Sequence, residues 1–318
     1  MTPFFSVIIP IYNIEKYVEA CLDSVLRQEE NDYEIIAVID GSTDSSYEIC
    51  KAKAEQFPQI RLVVQVNQGL SEARNQGILH ANGQYLVFLD GDDMLAEHAL
   101  QECRHVLDQN NYPDVLVNRA RYMDLLGKQL EDSLDFPENI NELDNVEQFK
   151  ICFIEGKFKP WAWVNIYKRT YIIDNHMTFK KGLLHEDELW TPQVFLHCQN
   201  IVFSRGILVQ YRLARGESIS THITMKNIKA KLKIIDLLQT LYPEDEKKKV
   251  LLQRRAGMIY WGVLNDIARY RLEYTEIKHE LKQKKYFLRL SKKHRILYYG
   301  VLVLGIDNTI RLLKIVRL

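Results

Sequence analysis

The sequence YLVFLDGDDML, which runs from Tyr85 to Leu95, joins a short apolar segment to a cluster of acids. Its first five residues predict a buried strand, and Asp90, Asp92 and Asp93 follow that strand within four positions. Hard divalent cations prefer carboxylate oxygens, so such a cluster suits a cation better than it suits a core. In open α/β sheets, ligands bind beyond the carboxyl ends of the strands. The stretch therefore predicts a metal and diphosphate site at the end of a strand.

The first hundred residues alternate between two periodicities. Apolar, β-branched runs predict strands at residues 4–10, 34–39, 61–66 and 85–89. Helical spacing of apolar residues predicts helices at residues 15–27, 45–57 and 70–81. Strands that alternate with helices over short connections form a parallel sheet with right-handed crossovers, so the predicted fold class is α/β.

The carboxyl end of each predicted strand carries residues suited to binding a ligand. The earlier strands are followed by Pro10, Tyr12 and Asn13, by Asp40-Gly41-Ser42, and by Asn67-Gln68-Gly69. Because the ends of parallel strands meet at one edge of a sheet, we expect these residues to converge on the aspartates. Any one of these turns is explained as an ordinary polar turn, whereas their convergence favours a binding site.

The composition limits the kinds of protein that the chain can be. Its 318 residues suffice for one large or two smaller domains, and 47% hydrophobic residues allow a sizeable core. The 42 basic and 42 acidic residues cancel, which argues against bulk nucleic-acid binding. The five cysteines are scattered without a C-x-x-C pair and we recognise no signal peptide, so we expect a reduced, cytosolic setting. No apolar run in the sequence reaches the length of a membrane span.

Four blocks in the first part of the chain resemble the donor-binding half of glycosyltransferase family 2. They are FSVIIPIYNIEKYVEACLDSVLRQ, IDGSTDSS, NQGLSEARNQGI and GQYLVFLDGDDML, in the family's order and spacing over about residues 4–95. The resemblance implies the GT-A fold, a mixed and mostly parallel sheet flanked by helices. It also implies a nucleotide-diphosphate sugar donor, with a UDP-sugar expected, Mn²⁺ or Mg²⁺ as cofactor, and inversion at the anomeric carbon.

The resemblance assigns donor-binding roles to individual residues. Pro10, Tyr12 and Asp40 would border the nucleotide base, and Asp40 would accept a hydrogen bond from the ring N–H of uracil. Arg74 would lie near the base or the diphosphate. Asp90 would face the ribose.

On the same resemblance, Asp92 would bind the metal. Each assignment has a simpler alternative, because Asp40-Gly41 is by itself a turn signal and Arg74 alone would be a solvated helix residue. We expect Asp93 to be structural and to cap a helix that begins near Leu95.

The patterns after residue 95 are weaker. They predict a helix at 97–110, a strand at 114–118, a hairpin of 120–126 and 128–132 around Gly127, an exposed loop at 132–145, a helix at 146–154 and two short strands within 201–209.

The segment KPWAWVNIYKRTYI, residues 159–172, is rich in aromatic residues. Core packing is the simpler explanation for them. The segment also resembles the family segment that walls the acceptor sugar, and aromatic faces suit the C–H face of a sugar ring. On this resemblance we assign Trp163 to the acceptor side.

A second chemical centre is expected in GLLHEDELW, residues 182–190. Consecutive acids there are also consistent with an ordinary helix N-terminus, where negative charge is favoured. The segment resembles the family's catalytic pair. An inverting transfer needs a carboxylate that takes the proton of the attacking hydroxyl, and the resemblance assigns this role to Asp187. Glu186 and His185 would orient the base or bind acceptor hydroxyls.

The segment YRLARGESISTH, residues 211–222, resembles a family loop that closes over the donor. On this resemblance Arg215, Ser218 and Ser220 would fold over the diphosphate, and Arg215 is assigned to the donor site. His222 is a further candidate for the metal shell.

The last hundred residues have a different character. Periodicity predicts helices at 226–241 and 247–270, separated by Pro243 and a run of acids that begins a new helix. From Lys282 onward there are ten Lys or Arg residues and one acid, Asp307. Residues 296–306, ILYYGVLVLGI, are apolar but too few to cross a bilayer. A basic helix with an apolar face predicts an interfacial anchor on an anionic membrane, and a helical cap on the catalytic domain or another subunit is the alternative.

These patterns divide the chain into a glycosyltransferase domain at 1–224 and a C-terminal helical region with a basic amphipathic tail at 225–318. Within the first domain, residues 1–95 would form the nucleotide-sugar half and residues 96–224 the acceptor half.

The residues and the resemblance together predict an inverting, metal-dependent hexosyl- or N-acetylhexosaminyltransferase. It would transfer a sugar to a glycan or lipid-linked glycan in surface-polysaccharide biosynthesis. We expect it in the cytoplasm, peripheral at the inner face of the plasma membrane.

Two alternatives stay open. A sugar nucleotidyltransferase would carry a Gly-rich loop where this chain has Pro10-Ile11-Tyr12-Asn13. The second alternative is a non-catalytic binding subunit with the same fold, and the presence of Asp40, Asp90, Asp92 and Asp187 argues against it.

Overall fold

The computed structural model describes residues 2–124, 128–132, 136–155, 161–213, 223–241, 244–290 and 295–316. The chain divides into two compact units. The first, which we call the sheet unit, comprises Met1–Asn145 and Lys157–Arg215, and the second, the helical unit, comprises Val146–Gly156 and Gly216–Leu318. The functional division at residues 224 and 225 stays a prediction.

The sheet unit begins with the predicted alternation of strands and helices. The strands are β1 (Phe5–Ile11), β2 (Tyr33–Asp40), β3 (Ile60–Gln65) and β4 (Tyr85–Phe88). The helices between them are α1 (Val18–Leu26), α2 (Ser46–Gln56) and α3 (Leu70–His80). The strands run parallel in the order β3-β2-β1-β4, so their carboxyl ends lie at one edge. The predicted parallel sheet and the convergence of its four strand ends are confirmed.

The chain continues with a more varied set of elements. They are β5 (Met94–Leu95), α4 (Ala99–Gln109), β6 (Val115–Met123), β7 (Gln129–Asp132), α5 (Asn145–Phe153), β8 (Asn165–Lys168), α6 (Arg169–Asp174), α7 (Asp187–His197) and β9 (Ile201–Arg212). The sheet order among the described residues is β3-β2-β1-β4-β8-β6-β9-β5, with β7 paired to β6. Strand β8 joins antiparallel to β4, whereas β9 runs parallel to β6. This mixed sheet flanked by helices confirms the predicted fold class.

Two predicted elements differ because strand pairing extends them. Strand β9 is continuous where two short strands were expected, since it pairs along β6 from Val115 to Met123. For the same reason, the predicted strand at 114–118 and the first arm of the hairpin form the single strand β6. The hairpin turn at Gly127 lies outside the described residues.

Two further expectations were wrong in detail. Residues 94–95 form β5 and not the start of a helix, so Asp93 caps no helix there. The stretch 132–145 is not simply an exposed loop, because Phe136 is buried with its ring 5.0 Å from that of Phe203. Ile140 in the same stretch is also buried.

Helix α3 lies unusually close to the sheet. A Cβ atom at Gly77 would stand 2.1 Å from Cγ2 of Ile8 on β1, so a side chain at this position would push the helix away. The close approach packs the second half of α3 directly on the middle of β1.

The helical unit contains most of α5 and the C-terminal helices α8 (Met225–Thr240), α9 (Glu246–Arg269), α10 (Lys278–Lys284), α11 (Phe287–Leu290) and α12 (Arg295–Val316). Asp245 accepts hydrogen bonds from the backbone of Lys247 and Lys248, which confirms the predicted helix start. Helix α9 is the central element. Gly257 on α9 lets the backbone of Phe287 approach, since a Cβ there would lie 2.4 Å from its carbonyl oxygen.

Helix α12 bends sharply at Gly305, whose φ is 75° and ψ is 167°. Its buried residues pack inside the helical unit, whereas several of its apolar residues are exposed. The exposed ones are Tyr299, Leu302, Val303, Leu304, Leu312 and Ile315. Among the described helices, none combines the length and apolar character needed to cross a membrane.

Candidate active site

The loops after β1 and β2 are tied to each other at the carboxyl edge of the sheet. The Asn13 side chain accepts from the backbone N–H of Thr43 at 2.8 Å. The Glu15 carboxylate accepts from the backbone of Ser45 at 3.0 Å. Between these loops, Pro10 is buried in β1 and Tyr12 is 50% exposed. The edge therefore presents the exposed ring of Tyr12 between two loops that are hydrogen-bonded to each other.

Asp40, at the end of β2, is 3% exposed and strongly hydrogen-bonded. Its carboxylate accepts from the backbone N–H groups of Gln68 and Gly69 at 2.8 Å each, and from the Gln65 side chain at 2.6 Å. A carboxylate has about four acceptor positions, so these bonds leave room for about one more donor. Asp40 thus joins the ends of β2 and β3 and keeps capacity for a ligand N–H.

Arg74 on α3 is the hub of the site and is only 1% exposed. Its Nη2 lies 2.7 Å from Asp90, which follows β4. Its Nη1 lies 2.5 Å from Glu186 and 3.3 Å from Asp187, at the start of α7. The planar guanidinium can hold several carboxylates at once. It thereby brings the predicted donor side and the predicted base together, which the sequence did not reveal.

The charge of this cluster is unbalanced, because three carboxylates surround one guanidinium. Burial raises the pKa of Asp187 well above its ordinary value; Arg74 opposes the rise, and the charges of Glu186 and Asp90 add to it. Burial also raises the pKa of Glu186, again against Arg74. The backbone N–H of Ala162 also opposes the rise in the pKa of Asp187, because its dipole favours the ionised form. Glu186 and Asp187 therefore hold protons more tightly than ordinary carboxyl groups do.

The segment before α7 has an unusual backbone. Gly182 and His185 adopt left-handed conformations with φ of 71° and 58°. His185 is half-buried, and its carbonyl accepts from the backbone of Glu188 at 3.0 Å. Glu186 and Asp187 do begin a helix, as the simpler alternative suggested, and both also contact Arg74. A helix N-terminus and a charge cluster thus coincide.

The acids after β4 are placed differently from one another. Asp93 is buried and accepts from the backbone N–H of Arg212 at 2.8 Å, so it ties this turn to β9. Asp92 is half-buried, and its carbonyl accepts from Nε of Arg212 at 3.1 Å. Within the described ranges, no group of three His, Cys, Asp or Glu side chains stands ready to hold a metal without other ligands.

The aromatic segment before β8 forms a stack of rings. Trp163 is 3% exposed and stacks on Trp161 at 4.6 Å and on Tyr211 at 5.0 Å between ring centroids. Trp163 is therefore a packing residue in this structure, while Trp161 and Tyr211 are half-buried. The backbone N–H of Ala162, between the two tryptophans, influences the pKa of Asp187, so the aromatic cluster lies close to that carboxylate.

The predicted donor loop is the part of the site that the structure does not describe. Arg215, Ser218, Ser220 and His222 all lie outside the described residues.

Comparison with known proteins identifies the family. Residues 6–163 match the model of glycosyl transferase family 2. The uncharacterized glycosyltransferase EpsJ of Bacillus subtilis is 32% identical over 213 residues, which cover 67% of this chain and 62% of EpsJ. Glycosyltransferase GlyA of Streptococcus pneumoniae is 30% identical over 223 residues, or 66% of this chain and 31% of GlyA. The matches thus span less than two thirds of either relative.

The crystal structure of S. aureus TarS residues 1–349 in complex with UDP-GlcNAc matches the fold with a TM-score of 0.74. The identity is 19%, and the match covers 98% of this chain and 90% of that one. The family model, the related sequences and the shared fold agree, so this chain belongs to glycosyltransferase family 2.

Proposed function

We propose that this chain transfers a sugar from a UDP-sugar to a hydroxyl group of a glycan or lipid-linked glycan, with inversion at the anomeric carbon. The observation that carries the proposal is the Arg74 cluster. It joins Asp90, at the end of a central parallel strand, to Asp187, a carboxylate whose pKa is raised. A donor site and a base held side by side suit a transfer reaction.

The donor would lie across the carboxyl edge of the sheet. Tyr12 and Pro10 would border the base, and the remaining acceptor capacity of Asp40 suits the ring N–H of uracil. Asp90 would face the ribose, with Arg74 neutralising part of its charge. The UDP-GlcNAc bound to TarS supports a UDP-sugar as donor. Arg215 is proposed for the diphosphate on the family resemblance alone.

A divalent cation, Mn²⁺ or Mg²⁺, would be held by Asp92. Mg²⁺ commonly binds through one or two carboxylates, substrate phosphates and water, so a single half-buried acid is a sufficient protein ligand. When bound, such an ion stabilises the charge that develops on the departing diphosphate.

Asp187 would act as the general base. Its carboxylate takes the proton of the acceptor hydroxyl as that oxygen attacks the anomeric carbon from the face opposite the diphosphate. Burial makes this carboxylate a stronger base than an exposed aspartate, because the raised pKa increases its proton affinity. Arg74 and the N–H of Ala162 hold it in place.

The acceptor would approach over the start of α7 and the aromatic cluster. His185 and Glu186 directly precede the proposed base in sequence and are proposed to orient it or to bind acceptor hydroxyls. Trp163 is proposed to contribute indirectly. It stacks on the half-buried rings of Trp161 and Tyr211, which would contact the face of the acceptor sugar.

The proposed setting is surface-polysaccharide synthesis at the inner face of the plasma membrane. Peripheral contact through α12 is supported by the exposed apolar residues Leu302, Val303 and Leu304, accompanied by the exposed cations Arg311 and Lys314. Anionic lipids would attract these cations.

The test is a screen of nucleotide sugars for Mn²⁺-dependent hydrolysis, which releases free sugar and nucleoside diphosphate. A transferase should hydrolyse one donor slowly, and Asp187→Asn should abolish the reaction. A sugar nucleotidyltransferase would instead exchange pyrophosphate, and a binding subunit would bind UDP without releasing any sugar. Either result would overturn the proposal.

A further inference from the structure

We propose that Asn75 is a positioning residue for the catalytic base, acting through the backbone of Phe179. This inference rests on the proposed function, in which Asp187 is the base. The Asn75 side chain on α3 donates to the carbonyl of Phe179 at 3.0 Å, and the N–H of Phe179 donates back to Oδ1 of Asn75 at 2.8 Å. One side-chain amide thus satisfies both backbone groups of a residue 104 positions away.

Asn is the residue that this contact requires. Its amide carries a donor and an acceptor at a fixed spacing, and only one orientation of the amide satisfies both groups of Phe179. Aspartate would offer no donor at neutral pH, and alanine would leave both backbone groups without their partner.

Phe179 is a firm anchor for the chain that follows it. Its ring is 2% exposed, stacks on Trp190 of α7 at 4.2 Å and meets Phe88 of β4 edge-on at 5.4 Å. The guanidinium of Arg74 lies 5.3 Å from the centre of the same ring. The anchor therefore touches β4, α7 and the residue that holds the base.

The segment from Phe179 to Asp187 is short and has a defined path. The left-handed residues Gly182 and His185 fix two of its turns. A second tie joins it to the donor edge, where Nζ of Lys181 lies 2.5 Å from Oε1 of Gln68. Fixing its first residue therefore restricts where Asp187 can lie.

Helix α3 consequently holds the base in two ways through consecutive residues. Arg74 contacts the carboxylate of Asp187 directly, and Asn75 holds the segment that delivers it. Loss of the second contact should let Asp187 drift from Arg74. Misplacement of a reacting group by about 1 Å lowers a rate by about 100-fold.

The test compares Asn75→Ala with wild type in Mn²⁺-dependent hydrolysis of the UDP-sugar that the screen selects, with UDP binding measured by calorimetry. We expect kcat to fall by about 10- to 100-fold with the UDP dissociation constant within about twofold. The acid limb of kcat against pH should move to higher pH, since Arg74 would no longer favour ionised Asp187 as strongly. A loss of folded protein alone would lower kcat and the UDP-binding stoichiometry by the same factor without moving the acid limb, which would overturn the inference.

Two further variants complete the test. Gln76→Ala is the matched control, because its side chain on the same helix only reaches Glu72 at 3.5 Å; it should keep wild-type kcat. Asn75→Asp, which keeps the shape and the acceptor, replaces Asn75→Ala if the latter does not fold.

The residual rate of Asp187→Asn, about 10²- to 10⁴-fold below wild type, should not fall further in the double variant Asn75→Ala/Asp187→Asn, because Asn75 acts through that base. Additive losses would overturn the inference. Full activity of Asp187→Asn would instead overturn the proposed base, so the two failures are distinguishable.

Discussion

The guanidinium of Arg74 lies 3.3 Å from the carboxylate of Asp187, across 113 residues of sequence. The same Nη1 atom is 2.5 Å from Glu186. This contact places the start of α7 against the first turns of α3, and so against the ends of the parallel strands. It makes the ionisation of Asp187 depend on Arg74, a residue that the family resemblance assigns to the donor.

Replacing Asp187 by Asn should abolish transfer while leaving UDP affinity nearly unchanged. A general base contributes about 10²- to 10⁴-fold, so kcat should fall by at least that much in a Mn²⁺-dependent assay. Calorimetry with UDP reports whether the donor edge is intact. The matched control is Asp174→Asn at the exposed end of α6, which should keep full activity. Full activity in Asp187→Asn would refute the base assignment.

The pH dependence of kcat should show the raised pKa of Asp187. Burial, with the charges of Glu186 and Asp90, favours the protonated form, and only the ionised form accepts a proton. Activity should therefore be lost as pH falls through a value well above the ordinary aspartate range. An acid limb near pH 4, the ordinary aspartate value of about 3.9, would contradict this.

The stability of the protein should also depend on the protonation of Asp187. Whereas activity should rise with pH, stability should fall. The folded state binds a proton at Asp187 more tightly than the unfolded chain does, so the free energy of unfolding falls as pH rises between the two pKa values. Each unit of difference is worth about 1.4 kcal/mol. Urea unfolding of Asp187→Asn should show a weaker decline over this window than wild type. Identical slopes for the two proteins would argue against a raised pKa.

Replacing Arg74 by Met should destabilise the protein strongly near neutral pH. Removing one partner of a buried ion pair costs about 3–5 kcal/mol, because the remaining charges stay buried without compensation. The stability of Arg74→Lys should lie between that of wild type and that of Arg74→Met. Lysine keeps the positive charge, but an ammonium group cannot hold three carboxylates in a plane. Urea unfolding at several pH values measures this, and the loss should shrink at low pH as the carboxylates become protonated.

The control for this change is Arg121→Met. Arg121 pairs with Asp132 at 2.6 Å, but its side chain is 34% exposed. Exposed pairs contribute about 0–1 kcal/mol, so this variant should lose little. If Arg74→Met and Arg121→Met lost the same free energy of unfolding, burial of the Arg74 cluster would not increase its contribution to stability.

Local signals explain what the sequence predicted well. The bounds of β1 to β4 and α1 to α3 were predicted to within a few residues. Each of these elements is indicated by the periodicity of its own apolar residues and by the turn residues at its ends. The edge at which the strand ends meet follows from parallel topology, so Asp40 and Asp90 were expected on it. These predictions needed no knowledge of which distant segments touch.

The missed features depend on contacts between distant segments. Nothing near Arg74 or Asn75 in sequence signals Glu186 or Phe179, which lie 112 and 104 residues away. Phe136 stands among polar residues, so its burial against Phe203 had no periodic signal. The acceptor-side role of Trp163 stays a prediction, and its burial depends on stacking against Tyr211 of β9, a contact that no local pattern signals.

Replacing Asp92 by Asn should weaken the response of the protein to metal. If Asp92 is the protein ligand of the cation, the Mn²⁺ concentration for half-maximal hydrolysis should rise by about tenfold or more. The UDP affinity of the variant should become nearly independent of Mn²⁺. It should then equal the UDP affinity of wild type measured in the presence of a chelator. Calorimetric titration of UDP with and without Mn²⁺ measures both. A wild-type metal response in Asp92→Asn would exclude this residue as ligand.

Membrane contact can be tested without removing the tail. Deleting residues 282–318 would expose the helical unit, because Phe287, Leu288 and Ile310 are buried in it. The triple change Leu302→Ser, Val303→Ser and Leu304→Ser alters only the exposed residues before the bend at Gly305, of which Val303 is 82% exposed. If these side chains enter the lipid, the variant should bind vesicles rich in phosphatidylglycerol at least tenfold more weakly, since full burial of even one apolar side chain contributes about 1.5–3 kcal/mol and about 1.4 kcal/mol corresponds to tenfold. Unfolding by urea should be unchanged. Val64→Ser on the exposed edge of β3 is the control, and equal vesicle binding by both variants and wild type would refute the anchor.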